Sequence, residues 1–233
     1  MITAGRRRFV RVSVRVFLGA LVALFVAAPF LEHMQGGELV ESALMTLVMV
    51  TGVLSISSRP SVRAFAIVLV LPAIAGKWLN HFWPERVPPA FFLTAAVIFV
   101  CFVITRALVF ILHAPRVNAD VLCAGISTYL MLGLVWSLAY MLVAQLVPDA
   151  FAFSVPPNSS HAMHGFTPFY FSFITLTTVG YGDIAPVAPV ARMLAIMEAM
   201  TGTLFVGMLI ARLVSLYSAA PNQDASSISQ DKL

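Results

Sequence analysis

Residues Thr177–Asp183 read Thr-Thr-Val-Gly-Tyr-Gly-Asp, and they carry the most specific chemistry that this 233-residue sequence suggests. Gly180 and Gly182 can adopt backbone angles that residues with side chains rarely adopt. This freedom allows successive carbonyl groups to turn towards one axis, where their oxygens can replace the water around a dehydrated cation. The Thr178 hydroxyl can add a further oxygen at the end of this row. The heptapeptide therefore indicates a cation-binding loop and no covalent chemistry.

The surroundings of this loop distinguish it from a common glycine-rich turn, which a lone Gly-Tyr-Gly would indicate. Thr167 is predicted to cap a helix with Pro168 in its first turn. The apolar helix that follows, Phe169–Thr177, is too short to cross a bilayer. Pro186 and Pro189 then precede a long apolar segment. This order predicts a re-entrant loop, which membranes tolerate where the backbone is buried in protein or lines water. The negative end of the short helix dipole also favours a cation.

The composition is that of a membrane protein, with 60% hydrophobic and only 10% charged residues. The net charge of +4 does not indicate nucleic-acid binding, because the basic residues cluster at the N-terminus and near helix ends. Cys101 and Cys123 are typical of small buried hydrophobes and predict neither a disulfide nor a metal site. We find no nucleophile–base pair, phosphate loop or cluster of metal ligands. The sequence therefore predicts neither an enzyme nor a bound cofactor.

Hydropathy predicts an all-α integral membrane protein with six transmembrane helices. The predicted spans are about Val14–Leu31, Leu39–Ile56, Val62–Leu79, Ala90–His113, Asn118–Leu146 and Val190–Tyr217. The third is the shortest, because its apolar run of Ala64–Gly76 covers only about 20 Å of a core of about 30 Å. It can span if Lys77 extends to the interface and Trp78 lies in the interfacial belt. Asn118 or Asp120 is predicted to cap the fifth helix.

The distribution of arginines predicts the orientation of the chain. Arg6, Arg7, Arg8, Arg11 and Arg15 place the N-terminus in the cytoplasm under the positive-inside rule. Six crossings then return the C-terminus to the same side, and the loop opens to the outside. We predict a four-helix transmembrane domain over residues 1–117, a pore domain over 118–217 and a disordered cytoplasmic tail over 218–233.

The loop, its short helix and the six crossings together resemble the six-transmembrane potassium channels of the voltage-gated-like superfamily, in particular the short prokaryotic members. The resemblance implies a homotetramer in the plasma (inner) membrane, with the lipid bilayer and K⁺ as its other partners. The implied filter is residues 178–182, and K⁺ binds the carbonyls of Thr178, Val179, Gly180 and Tyr181. It also implies a gate hinge at Gly202 and cavity-lining positions at Thr203, Val206 and Ile210. Close helix packing is the alternative role for Gly202.

This chain departs from the family in the support of the filter aspartate and in the charges of the fourth segment. Many relatives use pore-helix tryptophans to bind the filter aspartate, and some use a glutamate where this chain has Ile174. Here Asp183 can depend on Tyr170, on water or on a neighbouring chain, because Tyr170 can donate a hydrogen bond and Phe171 cannot. Thr177, Asp183 and Tyr170 form the implied support of the filter. Voltage sensors carry repeated arginines, but the fourth segment has only Arg106, which predicts weak voltage dependence.

Glu198 is a carboxyl group within an apolar segment and therefore suggests a function. It can form a cation-attracting ring or a proton-sensitive gate element, or it can bond to Ser172 or a pore-helix threonine. Helical counting from Thr203 and Val206 places it off the cavity face and favours the second interpretation. His161 and His164, before the pore helix, can confer sensitivity to external pH or zinc, although exposed loop histidines usually do neither.

Two other classes of function compete with a potassium-selective channel. Transporter pore subunits carry several degenerate filters in one chain, whereas this sequence has one complete copy. A non-conducting regulatory subunit does not need an intact filter. A pore that does not select among cations usually has an altered filter, and here Tyr181 is in place. The residues favour a potassium-selective channel.

Overall fold

The structure is a computed structural model that describes residues 2–31, 34–56, 60–83, 88–116, 118–154 and 163–218. Within these ranges the chain forms seven helices and one pair of short strands. In chain order they are α1 (Ile2–Leu31), α2 (Gly37–Ile56), α3 (Pro60–Phe82), α4 (Pro89–Leu112), α5 (Ala119–Leu146), β1 (Phe151–Phe153), α6 (Thr167–Leu176), β2 (Ile184–Pro186) and α7 (Pro189–Ser218). The predicted tail beyond Ser218 and the loop containing His161 lie outside the described residues.

Six of these helices are long and apolar enough to cross a membrane, which confirms the predicted number of spanning segments. The 23 residues of α3 extend about 35 Å at 1.5 Å per residue. Two polar side chains near the C-terminal end of α3 contact partners on α2. Lys77 Nζ lies 3.3 Å from Glu41 Oε1, and Trp78 Nε1 donates to Thr46 Oγ1 at 3.1 Å. The third segment is therefore long enough to span, and its lysine is paired with Glu41, whereas the predicted extension of Lys77 to the interface stays a prediction.

Local sequence explains where several helices begin. Prolines open α3, α4 and α7, where a missing N–H costs nothing and the fixed φ already suits a helix. Of the two predicted caps for α5, Asn118 is the cap, because its Oδ1 accepts from Val121 N at 2.9 Å. Asp120 instead pairs with Arg15 at 3.4 Å. The predicted cap at Thr167 is wrong, since Thr167 is already helical and the flanking Phe166 provides no side-chain cap.

A short antiparallel ribbon departs from the all-α prediction. β1 pairs with β2 so that Ala152 lies opposite Ala185. Strands of three residues have too few positions to show an alternating pattern, so hydropathy did not reveal them. The ribbon joins the segment after α5 to the segment before α7.

The core is continuous across the predicted domain boundary near residue 117. α5 packs against α1, α4, α6 and α7 and is the most buried of the spanning helices. Phe25 of α1 makes edge-to-face contacts with Phe169 and Phe173 of α6, with ring centroids 5.7 and 4.9 Å apart. The first helices therefore pack directly on the short helix that carries the loop.

Candidate functional site

The backbone of the Thr177–Asp183 loop alternates in conformation. Thr178, Gly180 and Gly182 have φ values of +60°, +54° and +80°, whereas Val179 and Tyr181 do not have positive φ. The two glycines thus adopt the left-handed geometry that the sequence predicts for them. Thr178 adopts it as well, although this conformation costs an L-residue about 1–2 kcal/mol. Sequence reasoning did not anticipate the strain at Thr178.

Hydrogen bonds at the start of the loop fix the direction of its carbonyl groups. Three consecutive amides donate back to α6: Thr178 N to Thr175 O at 2.9 Å, and Val179 N and Gly180 N to Ile174 O at 2.8 and 3.1 Å. In a trans peptide the C=O points opposite to the N–H. The carbonyls of Thr177, Thr178 and Val179 therefore point away from α6, towards the open side of the chain.

The far end of the loop is held by Ser154, which follows β1. Its amide donates to Asp183 O at 2.8 Å, and its hydroxyl donates to Gly182 O at 3.2 Å. These two carbonyls face the chain's own ribbon, so the outward row of carbonyls ends before Gly182. Sequence reasoning missed Ser154, which carries no local signal for this role.

The side chains of the loop project from a buried support. Within a single chain, residues 177–182 are exposed, with Tyr181 at 72% and Val179 at 53%. The α6 residues behind them, including Phe169, Ser172 and Leu176, are buried. A rigid helix thus presents a loop whose outer face has no covering within the described residues.

Asp183 has the partner that the sequence suggests. Tyr170 Oη donates to Asp183 Oδ2 at 2.8 Å. Burial, this hydrogen bond and the charge of Asp183 raise the pKa of Tyr170 to about 12, so the phenol remains a donor at neutral pH. The other oxygen, Asp183 Oδ1, is buried and has no hydrogen-bond partner among the described residues.

Phe171 and Ile174 act through packing and through the backbone. The Phe171 ring packs edge-on against Tyr140 and Phe151 at 4.8 and 5.6 Å, which ties α6 to α5 and the ribbon. The Ile174 carbonyl accepts the two loop amides described above.

Glu198 is fully buried where α5, α6 and α7 meet. Tyr140 Oη donates to its Oε2, and Ser172 Oγ is in hydrogen-bond contact with its Oε1. The contact with Ser172 matches one of the two predicted environments. Tyr140 was not anticipated, because it lies 58 positions away in sequence.

On α7, Gly202 packs against the end of α6. A Cβ at this position would collide with the carbonyl oxygen of Leu176, and α7 continues as a helix on both sides. The packing alternative for Gly202 therefore has a definite partner. Thr203, Val206 and Ile210 are exposed on the same helix. Among the described residues, no three His, Cys, Asp or Glu side chains cluster as metal ligands.

Comparison with known proteins gives two matches. Residues 128–219, from within α5 to just beyond the end of α7, match the family described as "Ion channel". One stretch of 47 residues is 47% identical to two-pore potassium channel 4 of Arabidopsis thaliana. That stretch covers 20% of this chain and spans 16% of the length of the plant protein. No solved structure matches. Residues 128–219 are thus similar to an ion-channel family domain, and the chain has several helices of membrane-spanning length.

Proposed function

We propose that this chain is the subunit of a potassium-selective channel, in which four copies surround a central pore and K⁺ passes passively. The observation that carries the proposal is the set of three loop amides bonded back to α6, which turns the carbonyls of Thr177, Thr178 and Val179 outward. One chain offers one wall of carbonyl oxygens, and a complete coordination shell needs a ring of about four.

The proposed ligands for K⁺ are the carbonyl oxygens of Thr178, Val179, Gly180 and Tyr181, with Gly182 completing the filter. The Thr178 hydroxyl adds a ring at the inner mouth, and the outward Thr177 carbonyl lies at the same end. The C-terminal end of α6 adds partial negative charge close to the loop. Tyr170 and Asp183 support the filter from behind. K⁺ is the permeating ligand, and the proposal includes no cofactor.

The exposed surface of α7 supports assembly with other copies of the chain. α7 is the least buried of the six spanning helices, and it follows directly after the loop. Its exposed apolar residues include Met193, Ile196, Met200, Leu204 and Ile210. In the proposed homotetramer this surface faces neighbouring copies and the pore, whereas exposed apolar residues of α3 such as Phe65 and Val68 face lipid.

The proposed channel lies in the plasma (inner) membrane with both termini in the cytoplasm, as the N-terminal arginines favour. Its voltage dependence is weak. Each charge that moves through the field contributes about 2.3 kcal/mol per 100 mV, and α4 carries only Arg106. The proposed hinge at Gly202 and the cavity lining by Thr203, Val206 and Ile210 complete the conduction path below the filter.

Ion flux through liposomes that contain the purified full-length chain tests this function. We expect K⁺ to pass much faster than Na⁺. Gly180→Ala should reduce K⁺ flux about tenfold or more, because alanine is strained at a φ of +54°. Gly19→Ala is the matched control, because Gly19 lies in α1 with nothing within 4 Å.

Three results would contradict the proposal. Equal passage of K⁺ and Na⁺ would indicate a pore without selectivity. Absence of flux would favour a non-conducting regulatory subunit. Flux that requires the gradient of a second, coupled ion, or a second subunit, would favour a transporter.

A further inference from the structure

Three fully buried polar side chains meet where α5, α6 and α7 come together behind the filter loop. Tyr140, Ser172 and Glu198 are all at 0% exposure. No basic side chain of the described residues forms an ion pair with Glu198. A buried unpaired carboxylate costs several kcal/mol, about the penalty expected for an ion moved from water into a protein interior. The cluster therefore needs an arrangement of protons that avoids this cost.

The hydroxyl of Ser172 determines that arrangement, because it has one proton and two oxygen neighbours. Ser172 Oγ donates to Gly133 O at 2.8 Å, and a backbone carbonyl can only accept. Ser172 Oγ is equally placed to donate to Glu198 Oε1. Because the hydroxyl has a single proton, both contacts are hydrogen bonds at the same time only when the carboxyl group carries a proton that it donates to Ser172 Oγ. Tyr140 Oη donates to the other carboxyl oxygen. With Glu198 neutral, each hydroxyl donates once and each oxygen in the cluster has a complementary neighbour.

This cluster acts on the same helix that directs the loop. Ser172 lies two residues before Ile174, whose carbonyl accepts the amides of Val179 and Gly180. One turn after Glu198, Gly202 packs beneath Leu176 at the end of α6. The polar cluster and the Gly202 contact therefore hold α6 against α7 at two points, Ser172 and Leu176. The hydrogen bond from Ser172 to Gly133 O holds α6 against α5.

We propose that Glu198 is a neutral positioning residue that links α5 and α7 to α6 and thereby keeps the carbonyl row of the filter aligned for K⁺. The proposal rests on the proposed function, since alignment matters only if the loop conducts. It assigns Glu198 no contact with the permeating ion, and it distinguishes Glu198 from a cation-attracting ring.

The first experiment measures the ratio of K⁺ to Na⁺ flux in liposomes for three variants of the full chain. Glu198→Gln keeps the shape of the side chain, with an amide oxygen that can accept from Tyr140 and an NH2 group that can donate to Ser172. We therefore expect a flux ratio within about twofold of the unmodified protein. Glu198→Leu leaves Tyr140 and Ser172 without their partner, and the ratio should fall about tenfold. Glu41→Gln is the control, because Glu41 pairs with Lys77 away from the loop.

A large drop in the flux ratio of Glu198→Gln would overturn the proposal, because selectivity would then depend on a negative charge at this position. An unchanged ratio in Glu198→Leu would overturn it as well. If Glu198→Leu fails to fold, Ser172→Ala and Tyr140→Phe replace it, and each should lower the ratio severalfold in protein that keeps its oligomeric size. Unchanged ratios in both would also contradict the positioning role.

The second experiment reads the protonation state without conduction. Infrared spectra of the purified protein at neutral pH should contain the carbonyl stretch of a protonated carboxylic acid. That band should disappear in Glu198→Gln and remain in Glu41→Gln. Its absence from the unmodified protein would overturn the neutral assignment. If the unmodified protein passes K⁺ and Na⁺ equally, the proposed function fails, whereas the infrared result still tests the neutral carboxyl group.

Discussion

The carboxyl group of Asp183 accepts one hydrogen bond from the described residues. Tyr170 holds Oδ2, while Oδ1 has no partner among the described residues. A buried carboxylate oxygen without a donor is costly. The Asp183 carboxylate is therefore held less firmly than a carboxylate with two donors. Tyr170 keeps its proton, and therefore its role as a donor, across the ordinary pH range. The pKa of Tyr170 is raised to about 12, so the donor is present below that pH and lost only as pH rises through it.

Tyr170→Phe removes the hydroxyl donor and keeps the aromatic ring. In patch recordings, current through the variant should decay severalfold faster during sustained opening, because loss of a hydrogen bond to a charged group costs about 1.5–3 kcal/mol. Tyr129→Phe is the matched control, because Tyr129 lies on α5 and its ring stacks on Phe205. Decay at the unmodified rate in Tyr170→Phe would show that the loop does not depend on this bond.

At the scale of elements, α6 has only ten residues, and its position depends on its neighbours. Isolated helices of this length are marginal in water. Phe25 of α1, Gly133 of α5 and Gly202 of α7 contact it from three sides. The glycines matter because they allow close approach. A Cβ at Gly133 would overlap the Phe173 ring, and one at Gly202 would meet the Leu176 carbonyl.

Gly202→Ala tests whether this glycine packs or bends. Packing predicts a loss of about 1–3 kcal/mol in the free energy of unfolding, the usual cost of overpacking, measured as lower thermal stability of the purified protein. Gly19→Ala is the control, because Gly19 lies in α1 with nothing within 4 Å, and it should not lower stability. A changed open probability with unchanged thermal stability would favour the hinge.

At the scale of the whole molecule, one chain exposes the surfaces that a ring of copies would cover. The Thr177–Asp183 loop and the apolar residues of α7 lie next to each other in sequence, and both are exposed. Membrane helices associate through close packing and polar contacts and not through exclusion of water. A ring of several copies therefore explains an exposed loop and an exposed last helix together.

The proposed assembly predicts a particle of four chains in mild detergent. Light scattering or native mass spectrometry should give four times the chain mass of 25.2 kDa after detergent is subtracted. Glu41→Gln provides a control preparation, because it alters an ion pair between α2 and α3 away from the loop. A particle of one chain, in a preparation that passes K⁺ after transfer into liposomes, would contradict the ring.

The sequence by itself determined the six apolar helices and the left-handed glycines of the loop, and it offered Tyr170 as one of three possible partners of Asp183. These features depend on local properties: hydropathy sums over neighbouring residues, glycine permits positive φ wherever it occurs, and a short helix brings Tyr170 back to the loop that follows it. The predicted bounds of five spanning helices lie within three residues of the observed ones for the same reason, whereas α1 begins at Ile2, twelve residues before its predicted start at Val14.

Only the tertiary structure decided which distant groups meet. Ser154 reaches Gly182 across 28 positions, and Tyr140 reaches Glu198 across 58. The pairing of β1 with β2, and the ion pair of Lys77 with Glu41, also join separate elements. Such contacts depend on how helices pack, and packing leaves no periodic signal in the chain. The contributions of Ser154 and Tyr140 therefore became visible only once β1, α5, α6 and α7 were placed together.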